Sequence, residues 1–179
     1  MSKIVSVFGG SAPKPGTPAY EDARRCGEWL ARSGWTVATG GYTGVMEAAS
    51  RGAHEAGGHV IGVTCSLIEN WREGFRANAW VKEEFKFGTL RERLYKLVEF
   101  CDVALALPGG VGTLSEIALT WSLIQTGEIK PKPLIAVGRV WAETLTTFLR
   151  ESDGYVHPEH KALLRMAGSV EEAMRLIGK

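Results

Sequence analysis

Thr113 and Glu116, three positions apart behind a glycine-rich turn, are the residues of this chain whose types and spacing point most directly to chemistry. They close the run Leu107-Pro108-Gly109-Gly110-Val111-Gly112-Thr113-Leu114-Ser115-Glu116. The short apolar stretch before it, residues 102–107, has the composition of a buried parallel strand, and the pattern after it, which includes Ile117, Trp121 and Ile124, is helical. A strand therefore ends where a helix begins. Glycines at such a junction let the backbone approach a ligand closely. The N–H groups of the first helical turn, backed by the positive end of the helix dipole, point into the same space. Gly109, Gly110, Val111, Gly112 and Thr113 are thus the expected cradle for an anion, a phosphate above all.

Glu116 has two readings. With Thr113 as the N-cap, Glu116 occupies the third helical position and closes a capping box of the form also present in Thr89-x-x-Glu92 and Ser169-x-x-Glu172. Alternatively its carboxylate, directed away from the apolar face of Leu114, Ile117, Ala118 and Trp121, enters a cleft and stabilises developing charge there. Spacing alone favours the cap. In the preceding helical segment, Leu90, Leu94, Leu97, Val98 and Cys101 form the apolar stripe, which leaves Arg91 and Arg93 on its two margins. Either guanidinium can reach a phosphate or lie on the surface with its stem packed, and periodicity does not choose between them.

The elements that must position these residues follow from hydrophobic pattern. Residues 3–8, 35–39, 59–64, 102–107 and 133–137 read as five short strands, and helical patterns cover about 18–33, 44–57, 89–100, 113–126, 141–152 and 170–178. This alternation predicts an α/β fold: a Rossmann-like, doubly wound parallel sheet covered by helices on both faces, in a single domain spanning 1–179. Residues 65–80, with Trp71, Phe75 and Trp80, read as the one long irregular segment. Glycine clusters also follow the first strand (Gly9-Gly10-Ser11) and the second (Gly40-Gly41-Tyr42-Thr43-Gly44). Ligands in such sheets collect beyond the carboxyl ends of the strands, so the three glycine loops are expected to share one cleft. Gly10, Ser11, Gly40, Gly41, Gly44 and Met46 are the candidate nucleotide contacts.

Several chemistries are disfavoured. No GxGxxG follows the first strand, Thr39-Gly40 stands where a ribose-binding acid would end the second, and GxxxxGK[ST] occurs nowhere, so neither NAD nor a P-loop triphosphate is expected. No cofactor is expected. His157-Pro158-Glu159-His160 lacks an accompanying ligand cluster, and no metal site is assigned. Cys26, Cys65 and Cys101 are odd in number and widely spaced, as buried free thiols would be. A net charge of +1, from 21 Lys+Arg and 20 Asp+Glu, provides no field for nucleic acid or an anionic membrane. The apolar runs are too short for a membrane span and the amino terminus leads directly into a strand, so a cytoplasmic protein is expected.

Taken together the motifs resemble the LOG ("Lonely guy") family of cytokinin riboside 5′-monophosphate phosphoribohydrolases, whose members have also carried the label of possible lysine decarboxylases. Residues 40–46 resemble the family's GGGxxGLMG, and residues 108–116 fit its PGGxGTxxE without a mismatch. Leu90-Arg91-Glu92-Arg93-Leu94 stands where the family has MxxRK, and the resemblance maps the family's essential arginine to Arg93 and its essential glutamate to Glu116. Leu90 replaces the family methionine, Leu94 its lysine, and Ser115 the first glutamate of GTxEE. The resemblance implies cleavage of a nucleoside 5′-monophosphate, AMP-like or a cytokinin riboside monophosphate, to free base and ribose 5-phosphate. It also implies a homodimer or higher homo-oligomer with sites near the subunit boundary. A second reading is a non-catalytic carrier of a nucleotide or of the molybdenum cofactor, since carriers of that cofactor resemble this glycine-rich architecture. Pyridoxal-phosphate chemistry fits poorly: it needs a Schiff-base lysine, and the nearest, Lys14, sits between prolines.

Overall fold

The computed structural model describes residues 3–71 and 74–177. Strands β1 (Ile4–Phe8), β2 (Thr36–Thr39), β3 (Val60–Cys65), β4 (Glu83–Phe87), β5 (Val103–Ala106), β6 (Leu134–Val137) and β7 (Leu164–Ala167) form one sheet in the order β4-β3-β2-β1-β5-β6-β7. Every pairing is parallel. Helices α1 (Pro18–Arg32), α2 (Val45–Glu55), α3 (Ser66–Trp71), α4 (Leu90–Glu99), α5 (Val111–Gln125), α6 (Arg139–Glu151), α7 (Pro158–Lys161) and α8 (Val170–Ile177) connect them.

Successive side chains of a strand face opposite sides, and the sheet uses this to build two cores. Val5, Val7, Val37, Leu105 and Ile135 pack with Tyr20, Leu30, Ala49 and Met174 on the side of α1, α2 and α8. Phe8, Ala38, Ala104, Ala106 and Leu134 pack with Leu97, Ile117, Trp121 and Trp141 on the side of α4, α5 and α6. The sheet is doubly wound, as the sequence predicts. The chain runs outward from β1 to β4 and then returns to place β5 beside β1, so the topological switch lies between the carboxyl ends of β1 and β5. The Leu107 and Gly10 amides join the two strand ends there, donating to the Phe8 and Pro108 carbonyls at 2.9 and 3.1 Å.

Four departures from the sequence expectation have local physical causes. Strands β4 and β7 were not anticipated. They are the two sheet edges, and an edge strand does not need a continuous apolar run: Glu83, Glu84 and Lys86 of β4 are exposed. Segment 65–80 is not irregular throughout, because β3 includes Cys65 and α3 follows immediately. Helix α5 begins at Val111, with Gly110 as its extended N-cap (φ −105°, ψ −151°), two residues earlier than expected. Its buried face is therefore Thr113, Glu116, Ile117, Thr120, Trp121, Leu123 and Ile124, whereas Leu114 and Ala118 are exposed. Finally, Leu90 at the start of α4 is exposed rather than part of the buried stripe.

All three cysteines are buried and free. Among the described residues, no helix is long and apolar enough to cross a membrane.

Candidate active site

The ends of β1, β2 and β5 bring the three glycine loops to one cleft of about 500 Å³. Its floor is made by Gly9, Gly10 and Ser11, by Tyr42 and Met46, and by Gly110, Val111, Gly112 and Thr113. Its upper wall comes from Leu67, Ile68 and Trp71 of α3, Phe75 and Leu90. Arg93 and Glu116 enter from α4 and α5.

The amino end of α5 is open. The N–H groups of Val111, Gly112 and Thr113 come too early in the helix to have a carbonyl one turn back. A Cβ on Gly110 or Gly112 would meet nothing within 4 Å, so a ligand can approach closely. Gly109 is different: a Cβ there would overlap Thr113 Oγ1 and lie 2.8 Å from the Gly10 amide nitrogen. Only glycine lets the β5 loop seat against both the helix start and the β1 loop.

Thr113 and Glu116 do not form a capping box. With the helix starting at Val111, Glu116 lies in its second turn, too far along to reach back to an N-cap. The box at Thr89 and Glu92 is real, with both reciprocal hydrogen bonds present. At the third such sequence, Glu172 bonds the Gly168 amide at 2.7 Å instead of that of Ser169.

Glu116 is 7% exposed, and its carboxylate accepts no hydrogen bond among the described residues. Burial raises its pKa to about 7, because a charge removed from water is disfavoured; the Arg93 guanidinium pulls in the opposite direction but does not cancel the effect. Near neutral pH the group is therefore divided between its two protonation states.

The structure decides between the two arginines. Arg91 is exposed, while Arg93 is 6% exposed and held on several sides. Its Nε donates to the Val63 carbonyl at 2.8 Å and its Nη2 to the Gly40 carbonyl at 3.2 Å. Its guanidinium lies 5.6 Å from the centre of the Tyr42 ring, within reach of a cation–π attraction. Its Nη1 stands 4.0 Å from Glu116 Oε1. Gly40 makes this anchoring possible, since a Cβ there would overlap Arg93 Nη2.

The candidate nucleotide contacts divide accordingly. Gly10, Ser11 and Met46 line the cleft. Gly40, Gly41 and Gly44 do not; they shape the turn beneath it, Gly41 and Gly44 with φ of +78° and +71°. Leu94 and Ser115, two of the departures from the LOG pattern, are also outside the lining, and Ser115 Oγ bonds the Val111 carbonyl at 2.9 Å. Sequence reasoning missed the upper wall. Trp71 and Phe75 were visible as aromatics in a long segment, but nothing local marked Leu67 or Ile68 as cleft residues.

Comparison with known proteins gives the family and the fold. The model of the SLOG cluster4 family matches residues 2–159. The chain belongs to the SLOG cluster4 family. The LOG resemblance of its motifs is thereby borne out. This SLOG cluster4 chain is 30% identical over 180 residues to a cytokinin riboside 5′-monophosphate phosphoribohydrolase of Mycobacterium tuberculosis, covering 96% of this chain and 91% of that protein. A probable enzyme of the same name from Oryza sativa subsp. japonica is 29% identical over 175 residues, 95% of this chain and 69% of that protein. Among solved structures, the molybdenum cofactor binding protein of Rippkaea orientalis superposes with a TM-score of 0.76 at 28% identity, covering 99% of this chain and 96% of that one.

Proposed function

We propose that this SLOG cluster4 protein hydrolyses the N-glycosidic bond of a nucleoside 5′-monophosphate, releasing free base and ribose 5-phosphate. The observation that carries the proposal is the buried Glu116 carboxylate, 4.0 Å from Arg93, facing the same cleft as the open amino end of α5. The 5′-phosphate rests on the N–H groups of residues 109–113 and the Thr113 hydroxyl, and that remote binding energy orients the sugar. The apolar wall of Leu67, Ile68, Trp71 and Phe75 provides surface for the base.

As the bond from C1′ to the base nitrogen breaks, positive charge develops on the ribose ring. The Glu116 carboxylate stabilises that charge and accepts a proton from the water whose oxygen bonds to C1′, while the base nitrogen leaves with the electron pair of the broken bond and takes up one proton from solvent, so the net reaction consumes one water. Arg93 favours the ionised form of Glu116 and offers Nη1 toward the cleft, while Nε and Nη2 hold backbone carbonyls. No cofactor enters the reaction. Incubation of purified protein with AMP and other nucleoside monophosphates, followed by chromatography for free base, tests the proposal. Absence of base from every nucleotide rejects it.

The likeness to a molybdenum cofactor binding protein favours a second reading, a carrier that binds its ligand without turnover. Tight nucleotide binding with no released base selects that reading. We further propose a cytoplasmic homodimer without nucleic-acid partners, supported by the net charge of +1 and by apolar residues exposed on α5 and α6, such as Leu114 and Phe148. Sedimentation as a monomer at micromolar concentration overturns the dimer.

A further inference from the structure

The loop after α3 contains a side chain that reaches neither the cleft nor the core but fastens the turn on which Arg93 rests. The Asn78 amide nitrogen Nδ2 donates to the carbonyls of Gly41 and Tyr42 at 3.0 and 2.9 Å. The Asn78 backbone N–H adds a third bond, to Gly41 at 2.8 Å, and its Oδ1 accepts from the Trp80 amide at 3.1 Å. Every polar atom of the side chain is therefore committed to backbone, and no other side chain among the described residues donates to those two carbonyls.

That turn supplies two of the surfaces that fix the guanidinium: the Gly40 carbonyl, which accepts from Nη2, and the Tyr42 ring. Tyr42 is pinned at both ends. Its hydroxyl accepts from the Cys65 amide at 2.9 Å and donates to the Cys65 carbonyl at 3.1 Å, while Asn78 holds its own carbonyl. The far end of the ring is tied to β3; the turn is held at the Gly41 amide by the Thr39 hydroxyl at 3.1 Å, and at the Gly41 and Tyr42 carbonyls by Asn78.

We infer that Asn78 is a positioning residue: by clamping the Gly41 and Tyr42 carbonyls it fixes the Gly40 carbonyl and Tyr42 ring against which Arg93 is aimed at Glu116. This rests on the proposed hydrolase reading for its effect on turnover, but not for its effect on Glu116. Alanine at 78 removes the two side-chain bonds to the turn, which lets the guanidinium move away from Glu116. A displacement of an ångström in a catalytic group lowers rate far more than substrate affinity.

The experiment compares wild type with N78A and N78S, the latter keeping one hydroxyl donor. It measures kcat and KM for AMP, thermal unfolding, and the Glu116 titration midpoint by carboxyl ¹³C NMR, assigned by its disappearance in E116Q. Expected for N78A are a kcat lower by about tenfold or more with KM within about threefold, and a Glu116 midpoint moved upward because its cation is less well placed. N78S should recover part of both, and it serves as the reporting variant if N78A does not fold. An unchanged Glu116 midpoint in the folded variants overturns the inference, even where kcat falls with the folded fraction. If wild type releases no base from AMP, the hydrolase reading fails for that nucleotide, and the Glu116 midpoint alone then judges Asn78.

Discussion

Arg93 Nη1 and Glu116 Oε1 stand 4.0 Å apart in the cleft, one on α4 and the other on α5, and both side chains are nearly excluded from solvent. The separation is at the outer limit of an ion pair. Arg93 therefore moderates the effect of burial on Glu116 without abolishing it, and the carboxyl keeps a pKa of about 7.

Glu116→Gln preserves shape and removes the charge. Base release should fall by about 10²- to 10⁴-fold, the usual contribution of a positioned acid or base, while nucleotide still binds at the α5 turn. Calorimetric titration with AMP alongside a base-release assay checks both, and wild-type turnover by the variant removes Glu116 from the chemistry.

Turnover should depend on the deprotonated carboxylate, so kcat should rise with pH through about 7 and level off above it. A profile flat between pH 5 and 9, values that bracket that midpoint by about two units each way, would contradict a role for ionised Glu116.

Stability should show the opposite sign. The folded-state pKa of Glu116 lies above its ordinary value of 4.5, so between about 4.5 and 7 the folded chain holds a proton that the unfolded chain has released. Stability from this group is present in full below the lower value and is lost as pH rises through the upper one. Relative to E116Q, wild type should lose up to about 3 kcal/mol between those limits. Urea unfolding of both proteins at pH 4.5 and 8 measures the difference, the lower value being the group's ordinary pKa and the higher about one unit above its folded one.

Arg93→Lys is not conservative here. A single ammonium cannot reproduce the fork that bonds the Val63 and Gly40 carbonyls and also faces Glu116. The variant should lose about 1–3 kcal/mol for a buried carbonyl left unpaired, and its kcat profile should shift to higher pH because an ammonium engaged with a backbone carbonyl stands farther from Glu116. Unfolding by denaturant and a pH series of initial rates report the two effects.

Gly109→Ala tests the phosphate turn. The added methyl overlaps Thr113 Oγ1 and crowds the Gly10 amide, so the helix start must move. KM for AMP should rise by about tenfold or more, corresponding to ~1.4 kcal/mol of lost binding, with a smaller effect on any activity toward adenosine, which lacks the phosphate. Equal effects on the two substrates would place the phosphate elsewhere.

The central strands were legible because each must bury both faces, which requires mostly apolar, small or β-branched residues throughout β1, β2, β3, β5 and β6. β4 and β7 were not, because an edge strand can alternate charged and apolar residues, as Glu83-Glu84-Phe85-Lys86-Phe87 does. The start of α5 lies earlier than the sequence indicates because Thr113-x-x-Glu116 has the form of a capping box, whereas the chain uses extended Gly110, where no side chain obstructs the cleft.

The sequence by itself determined the order of the five central strands and the six longer helices, the glycine turn after β5 and the carboxylate that follows it, because these depend on local pattern and backbone freedom. The motif resemblance singled out Arg93 and Glu116, but periodicity and spacing did not, and only the tertiary structure decided that Arg93 rather than Arg91 enters the cleft and that Glu116 is buried beside it instead of capping its helix. Both outcomes depend on exclusion from water by segments distant in the chain, including β3, the Gly40 turn and α3. Desolvation of a charge is a property of what surrounds it in space, and no spacing along one helix encodes it.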